Sequence, residues 1–362
     1  MRIGFMPDTH ATDYAGPQPE RKDVVEFYDH LIESSKLAEE AGFDGLFVPD
    51  RHMRTETYWP SQLHLLTTLA SITDTMTLGP YVNVLSCYNP MQVAEEMAVL
   101  DNLSEGRAIY AGGRGYHEGY WQYFGIEDGP SKALGRFVEG VEVLKEAWGS
   151  TIDDRFSYDG KYHQYEEVYQ SPDPFQNPRP PIWLGGQVDP AVERAGRLGD
   201  GYCAGPDPTE EEKYSHQLDL YREKQREHGS PVYDEPVHVL MRDGFVAESE
   251  KLAEEIFGER FREEMLFYFN QDVPFHHPKF DDESDFTIDN LKKVAMILGD
   301  PEAVIEEIER YDEDFGVDYL IMRFRVPKGP SWEKERQAIE LFGEEVIPHF
   351  HGEDDGDWVL ND

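Results

Sequence analysis

The sequence is poor in cysteine. Only two of its 362 residues are cysteines, Cys87 and Cys203, and they lie far apart along the chain. This number and spacing exclude a disulfide framework and a cysteine-rich zinc site. The sequence therefore predicts two reduced thiols, as is usual for a cytoplasmic protein.

Basic residues are also scarce, since 33 Lys and Arg stand against 74 Asp and Glu, giving a formal net charge of −41. Phosphate backbones are bound by a surplus of Lys and Arg, so this balance argues against a nucleic-acid partner. The acidic residues are spread along the whole chain. A surface of this kind holds water and hydrated cations in concentrated salt, which screens the repulsion, and we expect a halophilic protein.

Long apolar runs are missing as well. No stretch approaches the roughly 20 apolar residues that a membrane-spanning helix needs. The first residues form an apolar run that is too short for a signal peptide. We therefore expect a cytoplasmic protein with no membrane partner.

Two kinds of segment alternate along the chain. Short β-rich runs are followed by longer stretches in which apolar residues recur at helical spacing. About eight such strands, most followed by a helix, predict an α/β protein with a parallel sheet, and favour a closed (β/α)8 barrel, or TIM barrel, over an open doubly wound sheet. The predicted strands span 2–6, 45–49, 78–85, 107–111, 181–186, 200–204, 237–246 and 316–324.

No linker divides this pattern, so we expect one barrel domain over 1–350 and an acidic C-terminal tail over 351–362. Three irregular stretches rich in Gly, Pro and aromatic residues interrupt it, at 112–135, 150–180 and 270–300. They are too polar for a core. Because the active site of such a barrel lies at the carboxyl ends of its strands, we interpret these stretches as insertions that shape the site at that face.

The segment from Leu78 to Gly115 is the most informative part of the chain. Asn89-Pro90 predicts a helix start, since Asn caps helices and Pro suits the first helical position. The strand predicted over 107–111 then leads into Gly112-Gly113-Arg114-Gly115. Glycines let backbone amides approach an anion closely, and an arginine adds a bidentate fork.

A second glycine-rich strand end, Gly185-Gly186, lies just before a helix that opens at Asp189-Pro190. Either glycine pair alone is more often a turn or a close packing contact. Two such ends, one arginine and one helix N-terminus together predict a ligand that carries a phosphate.

Two Asp-x-His pairs, Asp8 with His10 and Asp50 with His52, follow the first two predicted strands. Such pairs on adjacent strands resemble the metal ligands of hydrolytic barrels. A ligating Lys or a further His at a later strand end is missing. We therefore predict no metal and keep a metal hydrolase as an alternative that we do not favour.

Short segments spread over nearly the whole chain match the pattern of a known family, and the LDNLSEGR block among them is specific. These segments are Ala38–Asp44, Asp50–His52, Asn89-Pro90, Ala94–Glu96, Leu100–Arg107, Gly113–Tyr116, Phe124–Ile126, Pro181–Gly186, Ala195–Arg197, Asp200-Gly201, Gly299–Glu302 and Val346–Pro348. In them the chain resembles the luciferase-like flavin monooxygenases, a family that also includes oxidoreductases dependent on the deazaflavin coenzyme F420.

The resemblance implies a (β/α)8 barrel, commonly dimeric, and a cofactor site. Arg114 matches the arginine that contacts the flavin phosphate in bacterial luciferase, and Tyr81-Val82 falls where the family often has a non-proline cis peptide under the flavin ring. Val188 stands where a serine is usual in the second phosphate loop. The cofactor-binding residues implied are Tyr81, Val82, Asn83, Gly113, Arg114, Gly186, Gln187, Val188 and Asp189.

The resemblance also implies catalytic residues after the second strand, where luciferases have two adjacent histidines. Here Arg51 occupies the first position and His52 the second. Arg51 stays protonated and cannot act as a base, but it could stabilise an anionic reduced flavin or a peroxide. His52 or His10 could act as acid or base near neutral pH.

The leading prediction is therefore a two-component monooxygenase that uses reduced FMN and O₂ to oxidise a small organic substrate, with a flavin reductase as a possible partner and a homodimer as the assembly. The first alternative is an F420-dependent oxidoreductase that transfers hydride without O₂. The second is a non-catalytic flavin-binding protein. An apolar lid is predicted from the aromatic residues Tyr116, Trp121, Tyr123, Phe124, Phe267, Phe269 and Phe275, which could equally be ordinary packing.

Overall fold

The computed structural model describes residues 1–8, 17–54, 58–127, 129–204, 210–270, 280–327 and 329–351. His10, Phe275 and the tail from residue 352 onward lie outside these residues.

The described residues form strands of two to ten residues. These are β1 Arg2–Phe5, β2 Gly45–Val48, β3 Thr77–Pro80, β4 Asn83–Val84, β5 Tyr110–Gly113, β6 Phe156–Asp159, β7 Gln164–Val168, β8 Ile182–Gly185, β9 Gly201–Ala204, β10 Val237–Val246, β11 Met296–Gly299 and β12 Tyr319–Arg323.

Helices fill most of the chain between these strands. They are α1 Arg21–Glu40, α2 Gln62–Ala70, α3 Pro90–Leu103, α4 Glu118–Tyr123, α5 Gly129–Gly149, α6 Asp189–Leu198, α7 Glu211–His228, α8 Glu250–Ala253, α9 Glu259–Asn270, α10 Ile288–Val294, α11 Pro301–Phe315, α12 Trp332–Glu345 and α13 Ile347–Phe350.

The sheet is parallel and nearly closed into a barrel, in the order β3-β2-β1-β12-β10-β9-β8-β5-β4. A parallel bridge between Leu78 and Ala108 joins its two ends. There the Leu78 amide donates to the Arg107 carbonyl at 2.8 Å, and the Ile109 amide donates to the Leu78 carbonyl at 2.9 Å. The predicted α/β barrel is confirmed.

Large side chains fill the barrel interior. Phe47 stacks on Trp183 with 5.7 Å between ring centroids, and Tyr319 packs edge-on against both rings at 5.4 Å. Residues of one strand alternate between this interior and the surrounding helices, which is how a small barrel is filled. The interior is a packed core, so ligands are confined to the ends of the barrel.

The fourth barrel strand differs from the prediction over 107–111. It begins at Tyr110 and extends through Gly112 and Gly113, because these glycines pair in parallel register with Asn83 and Val84. Strand propensity is low for glycine, and here the pairing with β4 overrides it. The turn predicted to start at Gly112 therefore starts at Arg114.

The irregular stretches contain more regular structure and more buried residues than their composition suggests. The stretch 112–135 was expected to be too polar for a core, yet Tyr120, Trp121 and Ala133 are buried there. The stretch 270–300 contains α10 and β11, and β11 pairs with β10. The stretch 150–180 contains an antiparallel hairpin, formed by β6 and β7.

Candidate active site

The predicted polar site residues that the structure describes lie at one end of the barrel. Since the barrel strands are parallel, their carboxyl ends share one face, and the residues that follow β2, β5, β8 and β12 meet there. The helix α4 is inserted after β5 and the helix α9 after β10. These two helices approach the same face from different sides.

The peptide bond between Tyr81 and Val82 is cis, as the resemblance implied. A Cβ added to Gly113 would lie 2.8 Å from Val82 Cγ2, and one added to Gly185 would lie 3.8 Å from Val82 Cγ1. The Val82 side chain thus lies between two glycine strand ends. A side chain at Gly113 would clash with Val82 and displace it, so glycine is required for this close approach.

Two hydrogen bonds hold the residues around this peptide. The Tyr81 hydroxyl donates to the Ala204 carbonyl at 2.6 Å. The Tyr110 hydroxyl donates to Asn83 Oδ1 at 3.0 Å, and both of those groups are buried. The backbone at Tyr81–Asn83 is therefore fixed from the two sides of the barrel.

Arg114 is exposed at the end of β5, and its Nε donates to the Gly115 carbonyl at 3.2 Å. Its own carbonyl accepts from the Ser86 hydroxyl at 2.6 Å. The Ser86 oxygen in turn accepts from the Trp121 indole at 2.8 Å, and the Ser86 carbonyl accepts from Arg136 Nε at 2.8 Å. The Arg114 loop is thus anchored, while its guanidinium faces solvent.

The N-terminus of α6 provides backbone donors. Within the described part of the chain, the amides of Gln187, Val188 and Asp189 donate to no acceptor. Val188 caps the helix without a side-chain hydrogen bond and is 59% exposed. Free amides and the positive end of the helix dipole suit an anion, and here they would act without a serine hydroxyl.

A second cation lies at this helix end. Arg194 Nη1 donates to the Pro190 carbonyl at 3.2 Å, which turns the side chain back toward the first turn of α6. Burial and then the like charges of Arg197 and Arg114 lower the pKa of the Arg194 guanidinium. Arg114 and Arg194 are therefore close enough to repel each other in a strongly acidic chain.

Asp50, His52 and Tyr88 form a buried polar cluster after β2. His52 Nε2 lies 2.8 Å from Asp50 Oδ1 and 2.9 Å from the Tyr88 hydroxyl, which itself donates to Asp50 Oδ1 at 3.0 Å. Asp50 Oδ2 accepts from the Val84 amide at 3.0 Å. Burial and the Asp50 charge raise the pKa of Tyr88, so the hydroxyl keeps its proton. With Nε2 as the donor, Nδ1 of neutral His52 carries the lone pair.

Aromatic rings enclose His52. Phe124 and Tyr120 lie edge-on to the imidazole, with centroids 4.8 and 5.4 Å away, and Tyr123 stacks on it at 5.7 Å. These rings belong to α4 and to the residue that follows it. The inserted helix therefore covers His52.

Arg51 points away from this cluster. Its Nη1 donates to the Tyr116 hydroxyl at 3.0 Å. Burial alone would lower the pKa of the Arg51 guanidinium. Charge interactions with four groups outweigh burial and raise this pKa, namely those with Tyr116, Tyr268, Tyr120 and Glu264. Tyr116 and Tyr120 lie next to or within α4, whereas Glu264 and Tyr268 lie on α9, so Arg51 is located where the two inserted segments meet.

The ends of β10 and β12 carry buried charges that are paired. Arg323 bonds Asp243 through Nε at 2.5 Å and approaches both oxygens of Glu264 at 3.4 Å. Glu335 on α12 is also buried, with 1% exposure. It differs from the paired groups in that its Oε1 has no hydrogen-bond partner in the described structure. Burial raises the pKa of Glu335 to about 8, with the Arg325 charge lowering it and the Asp8 charge raising it.

The predicted lid is only partly a cover. Trp121 is buried and bonded to Ser86, so it anchors α4. Tyr116 and Tyr123 are exposed, while Phe267 and Phe269 are half-buried against the main core. Some of these aromatic residues are therefore packed against the protein, and others are exposed.

Several residues of the site were not among those predicted. Ser86 and Tyr88 follow the third predicted strand, but the sequence does not show that Tyr88 and Asp50 converge on His52 or that Ser86 bonds Trp121. Glu264 and Tyr268 carry no signal of their own, because their contacts join elements far apart in the chain. Among the described residues, no group of three His, Cys, Asp or Glu side chains is arranged as metal ligands, and the predicted His10 lies outside those residues.

Comparison with known proteins identifies the family of the chain. The family model described as luciferase-like monooxygenase matches residues 1–319. The chain belongs to the luciferase-like monooxygenase family. Members of this family are oxidoreductases, so the prediction of an enzyme in this family is confirmed.

Relatives within the luciferase-like family use different cofactors. The oxygenase component of a flavin-dependent trigonelline monooxygenase from Acinetobacter baylyi is 24% identical over 340 residues, which cover 90% of each chain. An F420-dependent glucose-6-phosphate dehydrogenase from Microbacterium testaceum is 24% identical over 335 residues, covering 88% of this chain and 93% of that one. Both relatives therefore depend on a flavin-type cofactor, but they do not use the same one.

The fold agrees with that of solved luciferase-like proteins. The crystal structure of a monooxygenase from Streptomyces bottropensis superposes with a TM-score of 0.78 at 22% identity, over 97% of this chain and all of the other. None of the helices in the described ranges combines the length and the apolar character that crossing a bilayer requires.

Proposed function

We propose that this protein is the oxygenase component of a two-component flavin monooxygenase. It would bind reduced FMN from a separate reductase and use O₂ to oxidise a small organic substrate. The observation that carries the proposal is the phosphate cradle formed by the Arg114 loop and the free amides of Gln187–Asp189. A relative over 90% of the chain that is itself an oxygenase component supports it.

The residues present fit a flavin phosphate. Arg114 provides an exposed guanidinium and Arg194 a second cation. Gln187, Val188 and Asp189, at the start of α6, provide three amides that donate to no acceptor among the described residues. The absence of a side chain at Gly113 lets Val82 pack directly against the end of β5. Tyr81, Val82 and Asn83 would support the ring. When bound, reduced FMN supplies the electrons that activate O₂ for transfer of one oxygen atom to the substrate.

The buried cluster after β2 would handle protons. Asp50 accepts from both His52 and Tyr88, so it fixes the orientation of the imidazole. His52 Nδ1 is then the atom that takes up or returns a proton. The rings of α4 keep water away from it, which strengthens these interactions. His10, whose surroundings are not described, stays a predicted acid or base.

An F420-dependent oxidoreductase is the second candidate. Two departures from the luciferase pattern favour it, namely Val188 in place of serine and Arg51 in place of the first histidine. A relative that depends on F420 aligns over 88% of this chain. A protein that binds FMN but has lost its chemistry is the third candidate, and it would bind the cofactor without turnover.

A cofactor titration tests the proposal. We expect reduced FMN to bind more tightly than F420, and Arg114→Ala to weaken FMN by about 10- to 150-fold, the value of a charged hydrogen bond of about 1.5–3 kcal/mol. Riboflavin, which lacks the phosphate, should bind both proteins equally. Arg155→Ala, on the hairpin β6–β7, is the matched control. Binding of F420 but not FMN would refute the proposal, and an FMN-bound protein that consumes no O₂ with any substrate would favour the third candidate.

Four further predictions stay part of the proposal. We propose a homodimer, a cytoplasmic location, a single barrel domain over 1–350, and a surface adapted to high salt. The net charge of −41 is the basis of the last one. Titrations should therefore be made at one high and constant KCl concentration, because the repulsion between carboxylates is screened there.

A further inference from the structure

Arg51 carries a charge that no described carboxylate pairs with directly. Its guanidinium donates to the Tyr116 hydroxyl, and within the described residues it makes no ion pair. The side chain is half-buried in a chain with more than twice as many acidic as basic residues. Partial burial of a charge costs free energy that an ion pair would offset, so this guanidinium keeps donors for an anionic ligand.

The neighbouring carboxylates are already engaged. Asp50 is adjacent in sequence, but its two oxygens accept from His52, Tyr88 and the Val84 amide. Glu264 acts on Arg51 from α9, but both of its oxygens lie 3.4 Å from Arg323. The fold thus places acidic groups near Arg51 and directs them to other partners.

Other cation-forming groups lie nearby. Burial and then the charges of Arg54 and Arg51 lower the pKa of the His117 imidazole. The charges of Arg51 and Arg54 also act on Tyr120 and Tyr268. Arg51 and Arg54 therefore lie in one neighbourhood that is rich in hydroxyl groups and also contains the carboxylates of Glu264 and Glu118.

The position of Arg51 decides which ligand could reach it. It follows β2 at the carboxyl end of the barrel, between segments from α4 and α9, and beside the covered His52. The phosphate cradle lies after β5 and β8, on other strands. A ligand group that meets Arg51 therefore belongs to the substrate or to the far end of the cofactor, not to the phosphate.

We infer that Arg51 binds an anionic group of the organic substrate, so that the substrates of this enzyme are small organic acids. The planar guanidinium fork matches the two oxygens of a carboxylate, and a sulfonate offers the same chemistry. The Tyr116 hydroxyl, bonded to Arg51, holds the fork in place. The inference rests on the proposed function, whose chemistry takes place at this face.

Benzoate, benzenesulfonate and neutral benzamide serve as probes, because they share one ring and differ in charge. We expect the wild-type protein to bind benzoate at least about 10-fold more tightly than benzamide, and the preference to weaken as KCl is raised. This comparison needs no variant. Equal binding of benzoate and benzamide would overturn the inference, and a stronger response to benzenesulfonate would identify sulfonates as the acids preferred.

Arg51→Gln should weaken benzoate binding by about 10- to 100-fold, as expected for a charge-assisted bidentate contact. Arg51→Lys should recover only part of it, since lysine keeps the charge but not the fork. Arg155→Gln, the same change on the exposed hairpin, should have no effect. Near-UV circular dichroism shows whether each variant keeps its packing, and Tyr116→Phe should give a smaller loss of about 2- to 10-fold if Arg51→Gln fails to fold.

The test separates this inference from the proposed function, because benzoate binding is measured without cofactor. If Arg51→Gln weakens binding of the reduced cofactor and leaves benzoate unchanged, Arg51 serves the cofactor ring and the inference is wrong. If benzoate binding depends on Arg51 while FMN does not bind, the substrate class stands and the choice of cofactor is wrong.

Discussion

Replacement of Glu335 by glutamine should change how stability depends on pH. The carboxyl is 1% exposed, its Oε1 has no hydrogen-bond partner among the residues that the structure describes, and burial raises its pKa from 4.5 to about 8. Between these two values the native protein holds a proton that the unfolded chain has released. Unfolding therefore becomes easier as pH rises, and the stability present at low pH is lost as the pH passes through the native pKa.

The size of the effect follows from the shift. One pKa unit corresponds to about 1.4 kcal/mol. Both states titrate partly at the ends of the range, so between about pH 5 and about pH 8 this single group removes about 3–4 kcal/mol from the free energy of unfolding. Glutamine has the same shape and does not titrate. Glu335→Gln should thus lack this part of the pH dependence and be the more stable protein at about pH 8.

Urea unfolding of both proteins at several pH values and one KCl concentration measures this. Other groups titrate in the same range, such as Asp318, whose pKa burial raises to about 6. They are present in both proteins and cancel in the difference. Parallel curves for wild type and variant would refute the reasoning, since Glu335 would then have the same pKa in the native and unfolded states.

Three further changes test other parts of the structure. Ser86→Ala leaves the buried Trp121 indole without its acceptor and should lower the free energy of unfolding by about 1–3 kcal/mol, so an unchanged urea midpoint would contradict this contact. Gly244→Ala would place a Cβ 2.2 Å from the Ile297 carbonyl, and we expect a loss of at least about 1–3 kcal/mol in the same assay, whereas a variant of native stability would show that β10 and β11 are packed differently. Asp50→Asn should reduce turnover by about 10-fold or more while cofactor affinity stays within about 2-fold, and an equal loss in both would assign Asp50 a structural role.

The sequence was sufficient for the elements whose signals are local. Asn89 accepts from the Met91 amide and Pro90 opens α3, as their residue types predict. The helix at Asp189-Pro190 also begins where expected. These features depend on neighbours in the chain, so residue type alone specifies them.

The remainder depends on partners that are distant in sequence. Glycine has low strand propensity, yet Gly112 and Gly113 are strand residues because β4 pairs with them. The strand β11 is short and is held by the far half of β10. At the site, the sequence placed Arg51 and His52 side by side, but only the fold shows that they point to different surroundings.

The Ser86 junction has a thermodynamic consequence. One hydroxyl bonds both the backbone that carries Arg114 and the indole that anchors α4, and α4 in turn covers His52. A displacement of either segment therefore strains the bonds of the other, because both depend on the position of one hydroxyl. If the proposed phosphate binds at Arg114, its affinity is coupled to the position of α4 through this hydroxyl. Linkage is reciprocal, so a ligand that contacts α4 should change the affinity for the phosphate by the same factor as the phosphate changes the affinity for that ligand.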